Sequence, residues 1–121
     1  MNFFEGTIVQ SNGKLVFQSG FEAPVGAVRA KSLPEGVKGR VTLGLRPEDI
    51  AEEANGEVPA LVERVEATGL ENLIYCSCNG ASFVWRHPAA RSAKSGDRLR
   101  LRFDMERAHF FDPETGVALA G

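Results

Sequence analysis

The residue types best suited to chemistry are scarce in this chain. It has two cysteines, Cys76 and Cys78, and two histidines, His87 and His109. On a strand, Cys76 and Cys78 point to the same side about 7 Å apart, given a rise of ~3.3 Å per residue, which is too far for easy disulfide formation. No second cysteine or histidine pair completes a four-ligand metal site. We therefore interpret both cysteines as core residues and predict no metal site.

The sequence also gives no support for catalysis. Neither histidine has a further partner at a spacing that suits a nucleophile or a general base. The glycine-containing residues 36–39 lack the spacing and the Lys-Ser/Thr pair of a phosphate-binding loop. We predict no catalytic residue, no cofactor, and no binding or hydrolysis of ATP by this chain alone.

Three arginines, Arg98, Arg100 and Arg102, alternate with apolar residues and so form one outward basic row. On a small barrel, such a row could bind an anion or single-stranded nucleic acid. Nucleic-acid sites of this kind add exposed aromatic residues, however, and Phe103 lies on the inward face of the strand. The net charge of −2 gives no electrostatic case for nucleic acid either. A solvated row that protects a sheet edge is favoured, with an anion- or nucleic-acid-binding face as the alternative, although no nucleic-acid partner is expected.

Local signals predict the strands that position these residues. Asn-Gly pairs at 12–13 and 79–80 lie between alternating segments, which predicts two-residue hairpin turns. These turns place Val9 opposite Val16 and Cys78 opposite Ala81. In residues 58–68 the apolar alternation changes face midway, so we predict a β-bulge near residues 63–64.

The remaining segments are less regular. We interpret residues 25–30 as a possible strand, residues 33–36 as a turn and residues 88–95 as a loop.

About eight short strands and no long helix predict an all-β fold. The chain would form one domain of residues 1–121, built as a small barrel, or a pair of partial barrels, like the oligonucleotide/oligosaccharide-binding (OB) fold. No apolar run approaches the ~20 residues that a membrane-spanning helix needs. Two cysteines without a disulfide pattern favour a reducing, cytoplasmic location.

A strand that ends in a rigid corner organises the middle of the chain. Residues 39–46 alternate apolar and polar side chains, and Pro47 must end the strand because it lacks a backbone N–H. Pro47 also suits the first position of a helical turn, with Glu48 at its positive end. Arg46, Pro47 and Glu48 either brace this corner or face a partner, and the physical argument favours bracing.

Three aromatic residues are candidates for a protein interface. Phe110 and Phe111 are neighbours on a strand and so face opposite sides, which leaves one of them outward or covered by another segment. Tyr75 falls on the face opposite to the predicted core. Exposure of Tyr75, Phe110 or Phe111 would indicate a protein contact, and plain burial in a closed barrel is the alternative.

Four segments resemble, in the right order, the C-terminal regulatory domain of importer-type ABC transporter ATP-binding subunits, often called a TOBE domain. They are residues 1–4 (MNFF), 41–48 (VTLGLRPE), 65–72 (VEATGLEN) and 108–116 (AHFFDPETG). Two features depart from the family pattern. Leu70 stands where a small polar turn residue is usual, and residues 85–87 have no counterpart with a known role.

The resemblance implies a non-catalytic regulatory and dimerisation domain of an importer for a sugar, glycerol phosphate, a polyamine or a similar solute. It implies an ATPase domain that precedes this module, so we expect an excised or separately encoded regulatory domain. The implied partners are a second copy through the parent ATPase, the transmembrane subunits and a cytosolic regulator. The implied location is cytoplasmic, on the inner face of the membrane. The alternative is a barrel that senses a sugar or an oxyanion.

Overall fold

The structure is a computed structural model that describes residues 1–34, 39–88 and 93–120. The described residues form eleven strands, one short α-helix and one 3₁₀ turn. The strands are β1 (Asn2–Ser11), β2 (Lys14–Gln18), β3 (Glu22–Pro24), β4 (Gly39–Leu45), β5 (Ile50–Glu52), β6 (Val58–Ala67), β7 (Glu71–Cys78), β8 (Ala81–Pro88), β9 (Arg98–Phe103), β10 (His109–Phe111) and β11 (Ala118–Ala120). The helix α1 spans Ala27–Ser32, and the 3₁₀ turn spans Pro47–Asp49.

The strands form two curled antiparallel sheets. One has six strands in the order β11-β10-β4-β1-β2-β3, and the other has five in the order β5-β9-β6-β7-β8. This architecture confirms the all-β, OB-like prediction. The estimate of about eight strands was too low, and no strand signal in the sequence marks β3 and β5, which have only three residues each.

Both Asn-Gly hairpins have the predicted register. Val9 lies opposite Val16, and Cys78 lies opposite Ala81. Asn12 and Asn79 have φ values of 51° and 46°, and the glycine after each is also at positive φ. A two-residue turn of this kind requires positive φ at both central positions, so the local sequence determines the register.

The predicted β-bulge in β6 is also confirmed. The pairing of β6 with β7 shifts between Val62 and Arg64, which leaves Glu63 as the extra residue. Val58, Ala60 and Val62 are buried on the near side of this shift. The bulge therefore keeps Val65, which lies opposite the buried Ile74, on the same face of the sheet as Val62, although the sequence alternation changes phase between them.

The buried apolar side chains of both sheets form one cluster. Phe4 of β1 lies at its centre, with ring centroids 5.5 Å from Phe21, 5.6 Å from Phe83 and 5.5 Å from Phe103. Because Phe4 belongs to the six-stranded sheet, and Phe83 and Phe103 to the five-stranded one, these rings join the two sheets. Residues 2–4 are thus the start of a strand that contributes Phe4 to the core.

The prediction of a strand at residues 25–30 was wrong, because most of this segment is α1. Its residues are mainly good helix formers, and β3 ends at Pro24 before them. Gly26 precedes the helix, and a Cβ at Gly26 would overlap the Glu106 carboxylate. Arg29 Nε donates to the Ala108 carbonyl at 2.7 Å, so a residue far along the sequence helps to hold the helix in place. The predicted turn at 33–36 and loop at 88–95 lie partly outside the described residues.

Candidate interaction surfaces

The corner after β4 is built as its sequence predicts. Arg46 is extended, with ψ of 146°, and Pro47 is the first residue of the 3₁₀ turn. Asp49 N donates to the Arg46 carbonyl at 2.9 Å, which closes the turn. Burial raises the pKa of the Asp49 carboxyl, and the charge of Arg107 opposes that rise.

Side chains of the corner contact both sheets. Arg86 of β8 lies 3.6 Å from a Glu48 carboxylate oxygen and 3.3 Å from a Glu71 carboxylate oxygen. Arg46 Nη1 lies 3.3 Å from His109 Nε2. Sequence reasoning assigned no role to residues 85–87, and the structure gives Arg86 the role of linking the corner to β7. All three ion-pair partners are about half exposed, so each contact contributes little to stability.

Asn2 makes a second link between the sheets, which sequence reasoning missed. Its side chain is buried, and it donates to the Val84 carbonyl and accepts from the Val84 N–H, both at 2.8 Å. The amide thus pairs with the edge of β8 as a neighbouring strand would. One polar residue in the apolar segment 1–4 was the available signal.

The three candidate aromatic residues have different environments. Phe110 has 0% exposure and is a core residue, so a partner cannot reach it and the alternative of plain burial applies to this residue. Tyr75 is half-buried, with the Arg64 guanidinium 3.7 Å from its ring centroid and its hydroxyl 3.3 Å from Glu66. Phe111 is half-buried on the outer side of β10.

Met1, Phe3 and Phe111 form an apolar patch on the outer face of the six-stranded sheet, here called the Phe3 surface. Phe3 is 60% exposed and Met1 49% exposed, and the Phe3 and Phe111 ring centroids are 6.2 Å apart. A Cβ at Gly44 would lie 2.7 Å from Met1 Sδ and 2.9 Å from Phe111 Cε2. The side chains of Met1 and Phe111 therefore pack directly over Gly44, which lies in β4 just before the corner. The His109 ring stacks on Phe111, which makes the Phe3 surface continuous with Arg46.

The three arginines of β9 are exposed, as the alternation predicts, but their contacts differ. Arg102 forms ion pairs with Glu53 at 3.0 Å and Glu57 at 3.6 Å. Arg100 Nε donates to the Gly56 carbonyl at 2.9 Å. Two of the three thus hold the segment between β5 and β6.

Arg102 also borders a groove of about 750 Å³ whose floor includes Ile50 and Phe103. Several carboxylates line this groove. Two of them pair with Arg102, as given above, and Asp104 pairs with Arg107 at 3.3 Å. We interpret it as a solvated cleft.

Both cysteines are buried and free of disulfide bonds. Burial, with a smaller effect of the Glu63 charge, raises the pKa of Cys76 to about 12. Burial also raises the pKa of Cys78, and the charge of Arg100 opposes that rise.

Within the part of the chain that the structure describes, no group of three or more His, Cys, Asp or Glu side chains is placed to hold a metal ion. Nor does that part contain a helix with the length and apolar character needed to cross a membrane.

The chain resembles ATP-binding proteins of ABC transporters over nearly its whole length. It is 32% identical over 126 residues to the oligosaccharides import ATP-binding protein MsmX of Bacillus subtilis, covering 98% of this chain and 34% of the relative. It is 33% identical over 122 residues to the sn-glycerol-3-phosphate import ATP-binding protein UgpC of Salmonella typhi, covering 96% and 32%. An uncharacterized ABC transporter ATP-binding protein, YcjV of Escherichia coli O157:H7, is 33% identical over 122 residues, covering 98% and 33%. The chain thus spans about a third of the length of these relatives.

Two family models match adjoining parts of the chain. The MalK OB fold domain matches residues 1–50, which include β1 to β4 and the corner. The TOBE domain matches residues 43–111, which is more than half of the chain and includes the corner, the bulge and β10. The resemblance seen in the four sequence segments is therefore confirmed, and the chain belongs to the TOBE domain family.

Proposed function

We propose that this chain is the regulatory domain of the ATP-binding subunit of an ABC importer, that it has no catalytic role of its own, and that it associates with a second copy through the Phe3 surface. The family match and the relatives named for oligosaccharide and glycerol-phosphate import support the first part. They also favour a sugar or similar solute as the cargo. The sequence contains no phosphate-binding loop motif, which supports the second part.

The Phe3 surface is the observation that carries the association. Phe3 is 60% exposed, although a buried phenylalanine side chain gains about 1.5–3 kcal/mol relative to an exposed one. Met1 and Phe111 extend the same apolar patch, and aromatic and methionine side chains are enriched at protein interfaces. In a two-fold dimer the same patch lies on both partners, so each Phe3 is buried against the other copy.

In this proposal the corner positions the surface. Arg46 contacts His109, which stacks on Phe111, while Glu48 and Arg86 connect the same corner to the other sheet. Arg46, Pro47 and Glu48 therefore act as a brace at the edge of the interface. The proposal also includes a parent subunit that works on the cytoplasmic face of the membrane with transmembrane subunits, and a cytosolic regulator as a further partner.

Sedimentation equilibrium of the chain and its Phe3→Ser variant tests the association. We expect a monomer–dimer equilibrium for the unchanged chain and dimerisation at least about tenfold weaker for Phe3→Ser, because each protomer loses one buried aromatic side chain. Leu70→Ser is the matched control. Leu70 is 91% exposed at the turn between β6 and β7, in the sheet that does not carry the Phe3 surface, so its replacement should leave the equilibrium unchanged.

Three results would contradict the proposal. If the unchanged chain stays monomeric at millimolar concentration, self-association is excluded. Equal weakening by Leu70→Ser and Phe3→Ser places the interface elsewhere. ATP turnover by the purified chain excludes a purely regulatory role. Fluorescence of the single tryptophan, Trp85, checks that each variant is folded.

A further inference from the structure

We propose that Asn12 is a site of spontaneous deamidation, at which the chain's own backbone converts the asparagine into aspartate and isoaspartate. This inference does not rest on the proposed function. A solvent base removes the Gly13 N–H proton, and the nitrogen attacks Cγ of Asn12. The C–N bond of the side-chain amide then breaks, and its nitrogen takes a proton from solvent and leaves as ammonia. Water opens the resulting succinimide ring at either carbonyl group, which yields the two products.

The chain contains three Asn-Gly pairs, at residues 12–13, 55–56 and 79–80. Glycine favours the ring closure, because it has no Cβ to hinder the approach of its nitrogen. All three asparagines are exposed, so exposure alone does not distinguish them. The reaction needs a free side-chain amide on the asparagine and a free N–H on the glycine, and the three pairs differ in these two groups.

In the pair formed by Asn55 and Gly56, the attacking nitrogen is held. Gly56 N donates to the Glu53 carbonyl at 2.9 Å, and the Gly56 carbonyl accepts from Arg100 Nε at 2.9 Å. Gly56 is also buried, and a Cβ there would lie 2.4 Å from the Leu101 carbonyl oxygen. This backbone cannot turn its nitrogen toward the asparagine side chain without breaking these contacts.

In the pair at residues 79–80, the side-chain amide is held instead. The Asn79 amide donates to the carbonyl of Gly20, which lies between β2 and β3. A Cβ at Gly20 would lie 3.0 Å from Asn79 Cβ, so the two segments are in close contact. Because β2 and β3 belong to the six-stranded sheet and Asn79 follows β7 of the other sheet, the bond fixes the amide across both sheets. Ring closure at Asn79 first requires this bond to break.

At Asn12 neither group is held. We find no hydrogen bond from the Asn12 side chain or the Gly13 N–H to the described residues, and a Cβ at Gly13 would meet no atom within 4 Å. The backbone φ values of Asn12 and Asn79 are 51° and 46°, so the two hairpin turns are matched in conformation. Opening an exposed hairpin tip costs far less than unfolding the whole chain. Asn12 therefore reaches the conformation for attack more often than Asn79 does.

Deamidation changes the hairpin between β1 and β2 in two ways. Each product places a new carboxylate between Ser11 and Lys14, which pair at the tip. Isoaspartate also lengthens the backbone by one atom, which does not fit a two-residue turn with positive φ at both central positions. The modification therefore alters the end of β1 opposite to Phe3.

Peptide mapping by mass spectrometry tests this order of reactivity in the intact chain, incubated at mildly alkaline pH with and without urea. Dividing the folded-state rate at each site by the rate of the same site in urea removes the effect of the preceding residue. We expect this ratio to be at least about fivefold higher at Asn12 than at Asn55 or Asn79, because one hydrogen bond that must break lowers the reactive population by about that factor. Equal ratios at the three sites, or a higher ratio at Asn79 than at Asn12, overturn the proposal.

Gly20→Ala tests the cause of the difference. Gly20 has a φ of 73° and lies against Asn79, so alanine displaces the carbonyl that holds the Asn79 amide. Deamidation at Asn79 should then be about fivefold faster, with Asn12 unchanged. Gly69→Ala is the matched control, because Gly69 also has positive φ but a Cβ there meets no atom within 4 Å.

Two results with Gly20→Ala contradict the proposal. One is an unchanged rate at Asn79, and the other is equal acceleration at Asn12 and Asn79, which would mean that global opening governs both. Trp85 fluorescence checks that the variants are folded. If Gly20→Ala does not fold, the comparison of the three sites in the unchanged chain decides the question alone.

Discussion

At the scale of single residues, Asn2 shows how one polar side chain can join two sheets. Its amide satisfies both backbone groups of Val84, which is 82 residues away in sequence. A sequence pattern cannot reveal such a pairing, because it depends on how the two sheets meet. The alternation in β1 predicts that a residue beside Phe3 points inward, but not that it bonds to the edge of β8.

Replacing Asn2 by alanine should lower the free energy of unfolding by about 2 kcal/mol, because the Val84 N–H and carbonyl lose their partner. Urea unfolding followed by Trp85 fluorescence measures this change. Asn55→Ala is the control, since Asn55 is exposed in a turn, and it should change stability by less than about 0.5 kcal/mol. A loss below about 0.5 kcal/mol for Asn2→Ala would show that water replaces the amide without cost.

At the scale of elements, the sequence predicts what local signals determine. Both Asn-Gly hairpins and the β6 bulge follow from neighbouring residues, whereas the contact of Arg86 with the corner does not. The alternation also predicts that Phe110 and Phe111 face opposite sides without deciding which is inward. Pairing with β4 decides it, because Phe110 lies opposite the buried Leu43 and Phe111 opposite Thr42.

At the corner, we predict that burial of Ile50 contributes more to the free energy of unfolding than the ion pair between Glu48 and Arg86 does. Ile50, which follows the 3₁₀ turn, is buried, so Ile50→Ala should cost about 2–5 kcal/mol. Glu48→Gln should cost less than about 1 kcal/mol, because Glu48 and Arg86 are half exposed. Urea unfolding of both variants makes the comparison. If Glu48→Gln destabilised the chain as much as Ile50→Ala, the corner would depend on its ion pair instead.

At the scale of the whole molecule, the shared core predicts that both sheets unfold together. Phe17 of the six-stranded sheet lies 6.0 Å from Phe21, whose ring is 5.3 Å from that of Phe103 in the other sheet. Cys76 and Cys78 lie buried in the five-stranded sheet. A thiol reagent needs the thiolate, and burial raises the pKa of Cys76 to about 12, so the folded chain should react very slowly.

The test of this cooperativity is whether a change in one sheet exposes thiols in the other. Phe17→Leu removes buried volume from β2 and should destabilise the chain by about 1–2 kcal/mol. If one core holds both sheets, labelling of Cys76 by a chromogenic disulfide should then speed up by about 5- to 30-fold, in line with the loss of global stability. The same substitution at the exposed Phe3 is the control and should leave labelling unchanged. Unchanged labelling in Phe17→Leu, despite a lower unfolding midpoint by Trp85 fluorescence, would mean that the sheets open separately.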